Sequence, residues 1–506
     1  METIYVVLLA LLVLYVPFYL YVRKSPKMRE RGIVPYGPLV MFRTKWGINA
    51  MGRLSRHRRF WRFFGLLSKI TSLALMITIV AIMALNVIAL PKAIGREGIG
   101  IEYALAIPGL NPMLPLWYGI LGLIVAMAVH ELAHGIQARA NDVGVASTGL
   151  LYGVVPLGAF VEMEQEDVEK AGRRERMDLY SAGITTNLIA AVAIFALMAG
   201  ALGGGLVAND GDCPAIVAMA PGSPGLDGGI PIGSIITSVN GTAIASESDF
   251  EAAVDHYGTY ALGYRARDGS GTATLKMGVL IQSVVPGSPA YTSGMKGGTF
   301  IKSVDGDGFG TIDGFRAVIA DYSPGDKDVK IVTVDKDGVE ETHTITFAEK
   351  NGKAFLGVVM TNSGFAFTTP NENLRGAINP LHDSDSLTSM ATSALTYLGG
   401  PFRGYSPLPE STFWWYESQW VSDDVFWIAV SALFWIFWLN LVLGLSNALP
   451  AVPFDGGFLF MGGVDWILER MGVEGEARER KVATAGSIAT NVSLLVLILV
   501  VVTILI

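Results

Sequence analysis

The sequence predicts a polytopic α-helical membrane protein with about six transmembrane helices and two small α+β domains inserted in one long loop. Three observations predict it. The 506 residues are 51% hydrophobic and 16% charged, with mean hydropathy +0.44; ordinary soluble domains carry about 25% charged residues. Six stretches are apolar enough to cross a bilayer, which takes about 20 residues each. The long interval between the fourth and fifth turns rich in Gly, Pro, Asp and Ser, and it repeats itself. Disorder is excluded by the same composition. A net charge of −8 excludes the basic footprint of a nucleic-acid binder, so no nucleic-acid partner is expected. Cys213 is the single cysteine, which rules out an intramolecular disulfide framework and a multi-Cys zinc site. Any metal must be held by His and carboxylates.

In chain order the apolar stretches are 4–22, 68–90, 116–137, 179–206, 425–448 and 484–506. A shorter one, 387–401, carries Ser and Thr and reads as interfacial. The first lacks the basic start of a signal peptide. Glu2 is the only charge before it, and basic residues follow from Arg23 and Lys24 onward. It reads as an uncleaved anchor with its N-terminus outside. From Arg23 to Arg62 the basic residues face one acid, Glu30, so this loop is expected to stay cytoplasmic. The basic loops 170–176 and 469–481 fall on the same side, and the long loop 207–386 falls outside. The expected organisation is an N-terminal anchor (1–22), a basic cytoplasmic loop (23–67) and a membrane core (68–206). Two inserted domains (213–277 and 278–360) follow, then an extracytoplasmic linker with the interfacial segment (361–424) and a second core (425–506).

The long loop repeats at an offset of 65 residues: Pro221-Gly222-Ser223-Pro224 recurs as Pro286-Gly287-Ser288-Pro289. Ile236, Val239 and Gly241 recur as Ile301, Val304 and Gly306 without a gap. Two copies are too few for a solenoid and imply tandem domains. Asn240-Gly241 and Asp305-Gly306 are hairpin signals. The repeated string resembles PDZ domains, with Gly233-Ser234 and Gly298-Thr299 where that family usually has Gly-Asp. The resemblance implies capture of an extended peptide or a C-terminus by strand addition. The plain alternative is two β domains that cap the membrane part, since fold does not fix function.

The third stretch contains Val129-His130-Glu131-Leu132-Ala133-His134-Gly135. Histidines at i and i+4 share one helical face and can grip one zinc, with Glu131 beside them as general base. Ionisable groups within a span cost about 2.5–3.5 kcal/mol each on insertion scales, so three so close together call for a partner such as a metal. Counting back from Arg139 at 1.5 Å per residue places His134 about 8 Å and His130 about 14 Å inside the cytoplasmic boundary. A hydrolytic zinc needs a third protein ligand and an open position. His57, His256, His343 and His382 all lie in loops. The fifth stretch, however, ends Asn447-Ala448-Leu449-Pro450-Ala451-Val452-Pro453-Phe454-Asp455-Gly456-Gly457. Pro450 and Pro453 break the helix, and the topology puts Asp455 on the side of His130 and His134.

The pairing of His-Glu-x-x-His with Asn-x-x-Pro-x-x-Pro-x-Asp-Gly-Gly resembles the site-2 protease family of intramembrane zinc metalloproteases. Pro108-Gly109-Leu110-Asn111-Pro112 and His134-Gly135-Ile136-Gln137-Ala138-Arg139 are similar to archaeal members. The segment 149–164 looks like the family's re-entrant β segment, and Ala182-Gly183 with Asn187 resembles its next core helix. Phe454 stands where many members have Leu. The resemblance implies one zinc on His130, His134 and Asp455, Glu131 as base, and Asn447 placed to hydrogen-bond the scissile carbonyl. Asn440 either takes a direct role or ties helices together. The implied reaction is hydrolysis of a peptide bond in or near the transmembrane segment of a single-span membrane-protein substrate, after a first cleavage.

Segment 150–161 reads either as a strand that pairs with unwound substrate or as an ordinary hairpin. Trp414, Trp415, Tyr416 and Trp420 read as an aromatic belt at the bilayer surface, or as a substrate gate. Two other functions compete. A metal transporter needs several intramembrane carboxylates along a path, and the stretches outside the site lack them. An inactive peptide-binding scaffold has no need of Glu131. The expected location is the cell membrane, with the inserted domains extracytoplasmic and the metal site near the cytoplasmic side.

Overall fold

The computed structural model describes residues 2–93, 108–154 and 156–505, and the side chains of 2–9, 89–93, 156–157, 500 and 503–505 fall outside the description. The chain divides into two compact units: Met1–Met198 with Leu398–Ser406 and Ile428–Ile506, and Ala199–Tyr397 with Pro407–Trp427.

The first unit opens with α1 (Glu2–Lys24), α2 (Pro26–Glu30), the strands β1 (Ile33–Tyr36) and β2 (Leu39–Thr44), and α3 (Ile48–Leu54). Interval 23–67, the basic connection between the first two apolar stretches, thus carries secondary structure of its own. Strands β1 and β2 pair across the Gly37-Pro38 turn, and β2 continues the sheet by pairing Val40 with Tyr152 and Arg43 with Gly149. Tyr15 and Tyr19 of α1 donate hydroxyl hydrogen bonds to the Pro38 and Gly37 carbonyls, both 2.7 Å. Next come α4 (Arg58–Ala93), α5 (Leu116–Ala140), β3 (Val145–Tyr152), β4 (Pro156–Met163), α6 (Gln165–Lys170) and α7 (Arg173–Gly205). Helix α4 starts before the apolar stretch because arginine is a good helix former. Strands β1-β2-β3-β4 form one antiparallel sheet in that order, with β4 at its edge and against α5. Segment 150–161 is the β3–β4 hairpin; Val155 lies outside the described residues.

The second unit holds β5 (Leu206–Ala208), β6 (Ala215–Met219), α8 (Pro224–Asp227), β7 (Ile235–Val239), β8 (Thr242–Ala243), α9 (Glu247–Ala253), β9 (Gly258–Ala266) and β10 (Gly269–Met277). The pattern then recurs as β11 (Val279–Val284), α10 (Pro289–Thr292), β12 (Phe300–Val304), β13 (Asp307–Gly308), α11 (Ile312–Ile319), β14 (Val329–Val334) and β15 (Glu340–Ile345). Asn240-Gly241 and Asp305-Gly306 turn the β7–β8 and β12–β13 hairpins with positive φ at all four residues, as an Asn-Gly or Asp-Gly turn requires. Strands β16 (Ala348–Lys350), β17 (Lys353–Phe355), β18 (Val358–Asn362) and β19 (Phe365–Thr368) complete the set. Each half has its own core: Ile216, Ile236, Phe250 and Leu262 in one, and Ile281, Ile301, Phe315 and Ile331 in the other.

Two expectations need correction here. Residues 365–368 belong to no linker. Strand β19 pairs with β6, just as β18 pairs with β11, and Phe365 is buried in the first core. The second domain is thus inserted ahead of the last strand of the first. After α12 (Pro370–Ile378) and α13 (Leu387–Leu398), β20 (Tyr416–Ser418) pairs with β5. The aromatic residues at 414–420 are no uniform belt. Trp415 and Tyr416 are buried; the Trp415 indole donates to the Gly233 carbonyl (2.8 Å) and the Tyr416 hydroxyl to the Pro370 carbonyl (2.9 Å). Trp420 alone of the four is a large exposed hydrophobic residue. Trp415→Ala is expected to destabilise this unit by about 3–5 kcal/mol, the usual range for emptying a buried Trp site, read from its denaturant midpoint.

The first unit closes with α14 (Asp423–Asn447), α15 (Asp455–Arg470) and α16 (Gly475–Leu505). Among the described residues five helices are long and apolar enough to cross a membrane, within α4, α5, α7, α14 and α16. They take up five of the six expected stretches; the sixth is helical as α1, whose first side chains lie outside the description. Glycines let these helices approach. A Cβ on Gly122 of α5 would lie 2.9 Å from the Trp435 carbonyl oxygen, and one on Gly444 of α14 3.3 Å from that of Ile184. Close backbone contact at small residues is the usual way helices associate in lipid.

Candidate metal centre

Helix α5 runs unbroken from Leu116 to Ala140 and turns His130 and His134 to one buried face. Asp455 is the first residue of α15, after the irregular segment 448–454. Gly456-Gly457 lie in the first turn of α15, pressed on that segment. A Cβ on Gly456 would lie 2.4 Å from the Ala448 and Leu449 carbonyl oxygens, and one on Gly457 2.6 Å from the Ala451 carbonyl carbon. Two glycines thus bring the carboxylate to the histidines.

The result is an equilateral triangle. His130 Nε2, His134 Nε2 and Asp455 Oδ2 are each 3.1 Å from the other two. His134 Nδ1 lies 2.9 Å from the Leu179 carbonyl of α7. A carbonyl can only accept, so Nδ1 carries the proton and Nε2 presents its lone pair. Two imidazole nitrogens and a carboxylate oxygen converging in a buried site repel one another unless a cation sits among them. Tetrahedral zinc with ligands at about 2.0–2.1 Å needs ligand atoms roughly 3.3 Å apart. The donor set fits zinc in type, number and spacing.

Gly183 makes the space. A Cβ there would lie 2.6 Å from both His130 Cε1 and His134 Nε2. Glu131 is turned to β4, where its Oε2 accepts the Val161 N–H at 2.9 Å. Asn447 is not brought into the triangle: its Nδ2 donates to Leu443 of its own helix at 3.1 Å. Asn440 does the same to Ile436 at 2.7 Å, so this bond ties no second helix. Asn187 is fully buried on α7, and its amide has no hydrogen-bond partner among the described residues. The Leu179 carbonyl and the Val161 amide are the partners that sequence reasoning missed; both are backbone groups, so no residue type announces them.

The described residues hold one further group of this kind, Glu372, His382 and Asp383 in the second unit. Here the imidazole is already paired, with Nε2 2.6 Å from Glu372 Oε1 and Nδ1 2.8 Å from the Asn379 carbonyl. The hydrogen bond to Glu372 holds the His382 pKa above its ordinary value. A raised folded pKa stabilises the fold below the ordinary imidazole value, and the gain is lost as pH rises through the raised one. An NMR titration of His382 is expected to show a midpoint above the ordinary imidazole value, and Glu372→Gln to lower it.

A His-Glu-x-x-His helix whose histidines meet a carboxylate as third ligand is the donor set of a metallopeptidase, here carried by helices apolar enough to cross a membrane. The chain belongs to peptidase family M50, whose family model matches residues 118–497; this is the family of zinc-dependent site-2 proteases that the motifs resemble. It is also similar to an uncharacterized protein of Methanocaldococcus jannaschii, 30% identical over 191 residues, 37% of this chain and 49% of that protein. The chain thus spans about half the length of that relative.

Proposed function

We propose that this protein is an intramembrane zinc metalloprotease that cleaves a single-span membrane protein in or near its transmembrane segment, after a first cleavage has trimmed the substrate outside. The observation that carries this reading is the triangle of His130, His134 and Asp455 beside Glu131. Zinc bound there supplies a Lewis acid and makes water acidic enough to ionise near neutral pH. Glu131, next to His130 on the helix, takes the proton and later returns it to the leaving amine. Asn447 exchanges the Leu443 carbonyl for the substrate and steadies the charge that develops on the scissile carbonyl oxygen.

A helical substrate must unwind before its backbone can be attacked. Strand β4 supports a route: β3 covers one side, and no other strand among the described residues covers the second. The Val161 N–H faces Glu131 on that open side. An extended substrate added there regains the backbone hydrogen bonds it lost, next to the base. The basic loops support a site near the cytoplasmic side and inserted domains outside.

The test is cleavage of a trimmed single-span substrate by the purified protein in detergent, with zinc measured alongside. One zinc per chain and cleavage that a chelator abolishes are expected. Zinc without cleavage of any trimmed substrate would favour a scaffold or a transporter; absence of zinc would overturn the reading.

A further inference from the structure

We infer that Lys69 of α4 is a positioning residue of the metal centre. Through its ion pair with Asp178 it fixes the turn of α7 that holds His134 and leaves room for both histidine rings. Helix α4 carries no ligand of the triangle and no residue of the two motifs that define it.

Lys69 Nζ lies 2.5 Å from Asp178 Oδ1. Asp178 is 1% exposed, and apart from this ion pair neither carboxylate oxygen has a hydrogen-bond partner among the described residues. A buried carboxylate at the edge of an apolar stretch is costly unless a cation answers it. The other cation within 4.0 Å, Arg174, sits one turn back on α7 itself, with its side chain 64% exposed. It can draw the carboxylate toward solvent, but it ties α7 to no other helix. Two further bonds join the same helices. Thr185 Oγ1 donates to the Ser68 carbonyl at 3.2 Å, and Ser72 Oγ to the Ser181 carbonyl at 3.3 Å. Helix α4 also holds α5, where Gln137 Nε2 donates to the Trp61 carbonyl at 3.2 Å. The three helices meet at Gly65 of α4. A Cβ there would lie 2.6 Å from Asp178 Cγ and 2.8 Å from Gln137 Nε2.

These contacts bracket the bond that orients His134. Gln137 is three residues beyond His134 on α5, and Asp178 directly precedes Leu179, whose carbonyl accepts from His134 Nδ1. Leu179 and Gly183 are four residues apart and so share one face of α7. A turn of α7 at this level moves both. It withdraws the carbonyl that keeps the proton on Nδ1, and it brings bulkier neighbours of Gly183 toward the rings. Without the ammonium group the stranded carboxylate is drawn to Arg174 and water, which turns α7 away from α4. Groups that orient metal ligands commonly change metal affinity by about 10–100-fold when they are lost.

The inference rests on metal binding by the triangle and not on proteolysis. Zinc affinity is read by chelator competition on the full-length protein in detergent, and ligand geometry by the visible absorption of the cobalt form. Lys69→Met is expected to weaken zinc by about tenfold or more and to shift the cobalt bands. Lys69→Arg keeps the charge and should stay within about threefold of wild type. Asp178→Asn strands no carboxylate, so it tests the tether even where Lys69→Met fails to fold. It should weaken zinc by about threefold or more, and adding Lys69→Met to it should cost less than about twofold, because Lys69 acts through Asp178. A change that only weakens the fold lowers the unfolding temperature and leaves the zinc affinity and cobalt bands of the folded protein in place. That result in Lys69→Met or Asp178→Asn overturns the role of Lys69, as does an equal cost of Lys69→Met in both backgrounds. Absence of zinc from wild type as well overturns the metal reading and this inference with it, so the two failures are told apart.

Discussion

Glu131→Gln is expected to lower cleavage of a single-span substrate by about 10²–10⁴-fold, the contribution of a positioned general base, while zinc stays at one per chain. The separation follows from the geometry. Glu131 is not a corner of the triangle, which is built from His130, His134 and Asp455. Glutamine keeps the shape and can still accept the Val161 N–H, but it cannot take a proton. Loss of zinc together with activity would make Glu131 a part of the metal cage and overturn its assignment as base.

Gly183→Ala is the second large effect, and it removes no ligand. One added methyl would stand 2.6 Å from His130 Cε1 and His134 Nε2, a distance at which a ring must move. His134 is held to Leu179 and stands edge to face with His130, ring centroids 4.6 Å apart, so a shift of either ring disturbs the triangle. Zinc affinity is expected to fall by about 10–100-fold, as for other changes to the groups that orient metal ligands. Competition with a chelator reads the affinity, and unchanged zinc binding would mean that α7 does not shape the site.

How much of this was legible depended on whether side chains or backbone carried the information. The three ligand candidates and the base could be read because histidines and carboxylates are costly inside an apolar stretch. The spacing of His130 and His134 predicts a shared face, and α5 has it. Asn447 and Asn440 were legible as polar residues, but their bonds to their own helix depend on rotamers that no sequence pattern encodes. The β1–β2 hairpin was hidden under basic charge: counting Arg and Lys locates a side of the membrane and says nothing about sheet pairing. Strand β19 escaped because the repeat was followed by position, and its partner β6 lies before an entire intervening domain. Trp415 and Tyr416 were read by composition as a surface belt; the hydrogen bonds to Gly233 and Pro370 decide otherwise.

The nesting of one domain inside the other makes the inner one a removable cassette. Its two ends meet: the Ser363 N–H donates to the Gly278 carbonyl, and the Gly278 N–H to Ser363 Oγ, both at 2.9 Å. Splicing Gly278 to Ser363 therefore spans no gap and leaves β6 its partner β19. A cut that instead begins at the first domain and stops before residue 365 strands β19 and exposes the apolar face that Phe365 covers.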